Sequence, residues 1–395
     1  MKHNFRIIIG MLLLAIPLCM NAQVKPIKPA EEPKKVKVEK VEQEKLEKEM
    51  ADKESREKKE HKGGFEMPKI SGFVQGMYQA NLDEEGTLID NTLRMRRVRL
   101  SVDGTLFKGL TYKIQGDFSR SPMLVDAFVK YKVADAFAIQ LGQFKTPFSL
   151  ESPINPVNLE IFDYGEAIQG LVGYKDVCGV GSLGRDLGIM ATGSLFPVKG
   201  EEGIKYHVVN YALGVFNGNG ANQLDNNNRK DIVGRLEVHP GLKALTLSGS
   251  YYYGKYTKDD NDNCTRNRWA AGAQYNDGNL VIRGEYISGT TGFMADVVGE
   301  DGLVSDIIEL PTKSEGYYAV AGYNFRLGKE RKQTLMPVLR YEHFDKNGLS
   351  GTDWYTVGIN SWPLKSLNFK FDYSLIMTGS DIDGHRVVGI LSYKF

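Results

Sequence analysis

From Lys69 to Phe395 the chain alternates polar and apolar side chains in short runs broken by turn residues. Nowhere after residue 22 does it hold an apolar run long enough for a membrane-spanning helix. Together these features restrict the region to an all-β architecture. The last run, 385–395, sets Val387, Leu391, Tyr393 and Phe395 on one face and Arg386, Ser392 and Lys394 on the other. The run 91–104 sets Val98, Leu100 and Val102 against Arg97, Arg99, Ser101 and Asp103. The run 366–377 sets Leu367, Phe369, Phe371 and Tyr373 against Asn368, Lys370, Asp372 and Ser374.

About sixteen such strands are expected between residues 70 and 395. Their connections sort by length. Those at 106–109, 134–135, 197–203, 240–242, 277–278, 328–332 and 362–365 are short. Those at 81–90, 145–185, 218–228, 257–265 and 289–313 are mostly longer. A soluble β-sandwich has no reason to sort its loops this way. A transmembrane antiparallel up-and-down β-barrel does, with tight turns on the periplasmic rim and long loops outside. Lipid offers backbone groups no partner, so the sheet must close on itself. A charge facing lipid at mid-bilayer costs about 2–4 kcal/mol, which sends the charged faces inward.

The first residues agree with an exported protein. Lys2 and Arg6 precede an apolar run, Ile7 to Leu18, and Ala22 offers a cleavage site. Residues 1–22 therefore read as a signal peptide. Cys19 would suit a lipid anchor, but Pro17 and Leu18 fit that processing badly. Residues 23–64 form a charged Lys/Glu-rich linker or helix. Glu44–Lys48, Glu49–Lys53 and Glu54–Lys58 are pairs in the favourable helical order. A solvated periplasmic spacer is the expectation there, with a short coil or a cell-wall contact through 31–62 as alternatives. Residues 65–395 are the expected barrel. Its terminal Phe395, with Tyr393 two positions earlier, is similar to the signal read by the outer-membrane barrel insertion machinery. The expected location is the outer membrane of a Gram-negative-type bacterium, in contact with its lipid, with the N-terminal segment in the periplasm.

Barrel size bears on function. Eight strands leave an interior filled by side chains, whereas about sixteen leave an aqueous channel. The expected lumen faces are hydrophilic, with no apolar core to plug them. A water-filled, charge-lined barrel reads as a porin for small ions and polar solutes. Strands two to four would carry a basic wall of Arg97, Arg99, Lys113, Lys130 and Lys132. The third external loop, 145–185, is long enough to be functional. It carries Lys145, Glu151, Glu160, Asp163 and Glu166, and Pro147, Pro153 and Pro156 would stiffen its path. In general porins this loop folds inward and narrows the pore. The expectation is an eyelet in which an acidic loop faces the basic wall and a transverse field sets ion preference.

Other chemistries find little support. The net charge of +1 gives no nucleic-acid footprint. Cys178 and Cys264 have no metal-ligand spacing, and either a disulfide or two loop thiols would be permitted. The run Asp259–Asn263 lacks the Gly and terminal Glu of a helical calcium loop. No cofactor is expected. The rival classes are a barrel hydrolase, for which His207, His239, His343 and His385 come without a GxSxG motif, and a binding or cell-wall-anchoring role.

Three stretches carry a family resemblance. They are Ile70-Ser71-Gly72-Phe73-Val74-Gln75-Gly76, the run Arg94 to Gly104, and Gln140-Leu141-Gly142-Gln143-Phe144-Lys145-Thr146-Pro147-Phe148-Ser149-Leu150-Glu151. With them the chain resembles the phosphate-selective porin O and P family over roughly Lys69 to Phe395. The resemblance implies a sixteen-stranded homotrimeric porin. It also implies anion selectivity through lumen arginines and lysines, with Arg97 and Arg99 foremost.

Overall fold

The computed structural model describes residues 67–395, apart from 182, 202, 259, 260, 299–303, 329–331, 347 and 349. The expected leader, the charged 23–64 segment, and Asp259 and Asp260 of the Asp-rich run lie outside the described residues. The strands are β1 Lys69–Leu82, β2 Leu88–Phe107, β3 Leu110–Asp117, β4 Leu124–Ala134 and β5 Phe137–Lys145. They continue as β6 Arg185–Gly200, β7 Gly203–Phe216, β8 Asp231–Val238, β9 Leu245–Tyr253 and β10 Asn261–Asn276. The last six are β11 Leu280–Val298, β12 Val304–Tyr323, β13 Gln333–Asp345, β14 Gly351–Leu364, β15 Leu367–Thr378 and β16 Asp381–Lys394. Short segments Lys255–Lys258 and Phe325–Leu327 prolong β9 and β12. The result is a closed antiparallel barrel of sixteen strands. Pairing of β1 with β16, from Phe73↔Lys394 to Leu82↔His385, closes it.

Its burial pattern is inverted relative to a soluble protein. On β15, Asn368, Lys370, Asp372 and Ser374 are buried, while Phe369 and Phe371 are each 47% exposed. On β5, Ala138 and Gln140 are buried while Ile139 and Leu141 are exposed. A continuous apolar exterior of this extent is stable only against lipid. Outward aromatic rings run from strand to strand across β10 to β14. Trp269 lies 5.1 Å from Tyr286, Tyr317 lies 6.0 Å from Tyr341, and Tyr341 lies 5.1 Å from Tyr355. Such amphipathic rings favour a membrane–water interface.

Paired strand reaches into several of the expected loops, and furthest into 289–313. Residues 289–298 and 304–313 form a two-stranded ribbon rather than a loop, because β11 and β12 stay paired from Leu280↔Tyr323 to Val298↔Val304. The wall is uneven. β2 has 20 residues and β12 has 20, whereas β3 and β8 have 8 each.

Candidate functional site

Lys145 at the end of β5 pairs with Arg185 at the start of β6. Residues 146–184 therefore leave the wall and return at one point. They fold into the lumen, with a 3₁₀ turn at Pro156–Asn158 and one helix, α1, at Glu166–Val172. Gly173 ends α1 in the left-handed region at φ 97°, the conformation glycine adopts without steric cost. Phe148, Leu159, Ile161, Ala167, Ile168 and Leu171 are buried in one cluster with Val233, Tyr252, Ile287, Tyr318, Val320 and Val338 of the wall. The lumen thus contains an apolar core on one side, contrary to the hydrophilic interior expected. Its cause is the loop, whose apolar residues bury themselves against inward Val, Ile and Tyr side chains.

Arginines fasten the loop around this core. Arg340 Nη1 donates to Glu151 Oε2 at 2.7 Å, and Arg283 Nη2 to Glu160 Oε2 at 2.5 Å. Arg268 makes a two-pronged pair with Asp176 at 2.7 and 2.8 Å. Arg97 donates to Asp163 at 2.9 Å, and Arg96 also pairs with Asp163. Glu166 lies 3.6 Å from Arg386. Backbone groups join in: Lys370 donates to the carbonyls of Pro156 and Ile161, and the Ala167 N–H donates to Glu342. Gly165 has no room for a side chain, since a Cβ there would stand 2.1 Å from Arg340 Nη2 and 2.4 Å from Glu342 Oε1.

The loop carboxyls respond to these neighbours. Burial alone would raise Asp163, but Arg96 and Arg97 more than reverse it and hold it at about 2. Glu151 and Asp176 are lowered on the same balance, by Arg340 with Arg283 and by Arg268 with Arg266 respectively. Cys178 is pushed up to about 11 by burial. It and Cys264 are not disulfide-bonded and are buried in one cluster with Tyr256.

Opposite the fastened side, a slot of about 330 Å³ separates the loop from the wall. Its wall carries Arg99, Lys113, Arg185 and Arg235, and Lys145 stands where loop and wall meet. The only acid lining it, among the described residues, is Asp126. Arg99 pairs with Asp117 at 3.0 Å and Arg185 with Asp126 at 2.7 Å. Arg235 donates to the Ser149 carbonyl at 3.1 Å and lies 3.3 Å from Glu237. The loop presents Thr146, Pro147, Pro153, Asn155 and Pro156 to the slot, none of them charged. Below it, towards the short-turn rim, a cavity of about 410 Å³ is lined by Lys130, Lys132, Asp135, His207, Arg235 and Glu237 among others. Thr192, Ala212 and Arg235 line both spaces.

Of the residues expected to form the site, Arg99, Lys113 and Lys145 line the slot, and Lys130 and Lys132 the lower cavity. Arg97 lines neither and instead holds Asp163. Glu151 and Glu160 do not face the basic wall. They are buried against Arg283 and Arg340 of β11 and β13. Asp163 does meet the expected basic wall, through Arg97 and its neighbour Arg96, but the loop face turned to the slot itself carries only Thr146, Asn155 and prolines. Sequence reasoning missed Arg185 and Arg235 as slot residues, and the arginines at 266, 268, 283, 340 and 386. Their inward parity was visible: Arg266 alternates with Arg268, Arg283 with Glu285, and Arg340 with Glu342.

Comparison with known proteins agrees with this architecture. A family model described as phosphate-selective porin O and P matches residues 69–381. Among solved structures, an anion-selective porin from Comamonas acidovorans superposes with a TM-score of 0.59 at 15% identity, covering 83% of this chain and 99% of that one. Salmonella typhi OmpF, solved in complex with daunomycin, gives 0.55 at 15% identity over 83% and 97%. The outer membrane channel DcaP of Acinetobacter baumannii gives 0.54 at 12% identity over 84% and 98%. No curated protein matches the sequence significantly.

Proposed function

The chain belongs to the phosphate-selective porin O and P family, and we propose that its channel prefers anions because of the slot between the third loop and strands β2 to β8. As a porin it forms an outer-membrane channel for passive diffusion of small ions and polar solutes. One observation carries the preference. The slot is lined by five basic residues and one acid, and the loop lends it no carboxylate. Charges this close to a narrow path act strongly on permeant ions. An anion would pass from Arg99, Arg185 and Lys145 to Lys113 and Arg235, then to Lys130 and Lys132. The resemblance of the family's name to this chemistry makes phosphate a natural candidate.

The test is the reversal potential of the purified protein in a planar bilayer across a KCl gradient. Anion preference that weakens in Lys113→Ala and Arg235→Ala supports the reading. Cation preference would remove it and leave a porin of another selectivity. The barrel is a homotrimer, the 1–22 leader is cleaved, and residues 31–62 are a solvated periplasmic spacer, with a cell-wall contact as the alternative. Deleting 31–62 is expected to leave conductance intact; a loss of cell-wall retention would make the segment a tether instead.

A further inference from the structure

A slot built only for inorganic anions has no use for aromatic rings, yet one stands beside Lys113, one of its cations. Phe128 on β4 is the direct cross-strand partner of Lys113 on β3. Directly opposed residues project to the same face with Cβ atoms about 5 Å apart. Lys130, two positions on, adds a second ammonium on the same face about 7 Å along the strand. Phe144 packs edge-on to Phe128 with ring centres 5.9 Å apart, and Met190 continues the apolar strip along the slot. From the loop side Pro147, Pro153 and Pro156 complete an uncharged lining. Gly142, opposite Phe128 on β5, adds no side chain. A Cβ there would meet the Ala127 carbonyl at 2.2 Å and the Phe128 Cβ at 3.0 Å.

We infer that the slot takes small aromatic carboxylates, the ring against Phe128, Phe144 and the proline face and the carboxylate on Lys113 and its basic neighbours. This rests on the anion preference proposed above and narrows it to one class. Each half of the solute meets its complement. A ring adds to an existing edge-on pair, and aromatic contacts of this kind gain beyond simple area burial. The carboxylate meets the Lys113 ammonium, which has Asp103 opposite it on β2 but forms no close ion pair among the described residues. The volume of about 330 Å³ matches a small organic ligand and its water. Passage stays fast because the slot opens directly to the lower cavity and holds no deep pocket, so binding remains weak enough to release.

The experiment compares benzoate with acetate through the same channel, as the permeability ratio from bi-ionic potentials in potassium salts. In a plain aqueous pore the larger benzoate passes less readily than acetate. The inference expects the ratio to exceed one, by roughly two- to tenfold. Phe128→Ser should bring it below one, and Phe128→Tyr should keep it above. The ratio is internal to each channel, so altered gross conductance does not disturb it. A wild-type ratio at or below one overturns the inference even if no variant folds. A ratio above one that Phe128→Ser leaves unmoved overturns the assignment to this ring. Chloride-over-potassium preference, measured separately, decides the parent reading: anion preference with a low benzoate ratio sinks the aromatic slot alone, and cation preference sinks both.

Discussion

Arg340 on β13 holds Glu151 of the third loop at 2.7 Å, with both side chains almost completely withdrawn from solvent. Glu151 also accepts from the Gly165 N–H at 3.1 Å and lies 3.4 Å from Arg283. One carboxylate therefore ties the loop's entry, the start of α1 and two wall strands together.

Removing that carboxylate should loosen the loop. Breaking a buried pair by deleting one partner costs about 3–5 kcal/mol, since the other charge stays buried. Glu151→Ala is expected to unfold at lower temperature, read as the heating needed to lose the compact band on a gel. Its single-channel conductance should rise. A variant with wild-type thermal stability would mean that the clamp is redundant.

Acid should do reversibly what that substitution does permanently. The ordinary value for Asp163 is 3.8, and in the folded protein it is lowered to about 2. Its contribution to loop docking is complete above the ordinary value and disappears as pH falls from about 4 to about 2. The amount at stake is about 2 kcal/mol. The part of the conductance change that Asp163 controls is expected to begin only below about pH 4. Asp163→Asn should flatten that portion of the profile.

The proline face makes a separate prediction. Pro153 is exposed to the slot on the loop side and carries no charge. Pro153→Asp places a carboxylate where the loop otherwise shows none. A unit charge near a water-filled path is worth about 1 kcal/mol at close range, so anion preference should fall about fivefold at low salt. The effect should shrink as salt rises, because screening shortens the reach of the new charge. Unchanged reversal potentials would place the permeation path away from this face.

Lys113 offers the complementary change. It lines the slot from β3, and its wall neighbours Arg99 and Arg185 are already tied to Asp117 and Asp126. Lys113→Glu is expected to lower anion preference more than Arg97→Ser, because Arg97 is committed to Asp163 outside the slot lining. Arg97→Ser should act on loop stability instead. Paired measurements of reversal potential and thermal band shift separate the two roles.

The strands and the sorting of loops were legible because lipid imposes a strict two-residue period on each strand. The same period showed that Arg99, Lys113, Lys130 and Lys132 point inward. It could not say what each inward side chain meets. Glu151 and Glu160 looked like eyelet carboxylates because a loop's path is set by tertiary contacts, here with Arg283 and Arg340 more than a hundred residues later. The apolar strip was partly readable, since Phe128 shares parity with Lys130 and Lys132. The 289–313 ribbon was obscured because strands that outgrow the wall lose the alternation that lipid enforces.

The arginines that fasten the third loop come from β2, β10, β11, β13 and β16, so the filter draws on both ends of the barrel sequence. Only when the β1–β16 seam zips shut is the loop surrounded by all of its partners. A third loop held this way is therefore fixed by the closed ring of strands rather than by its neighbours in sequence.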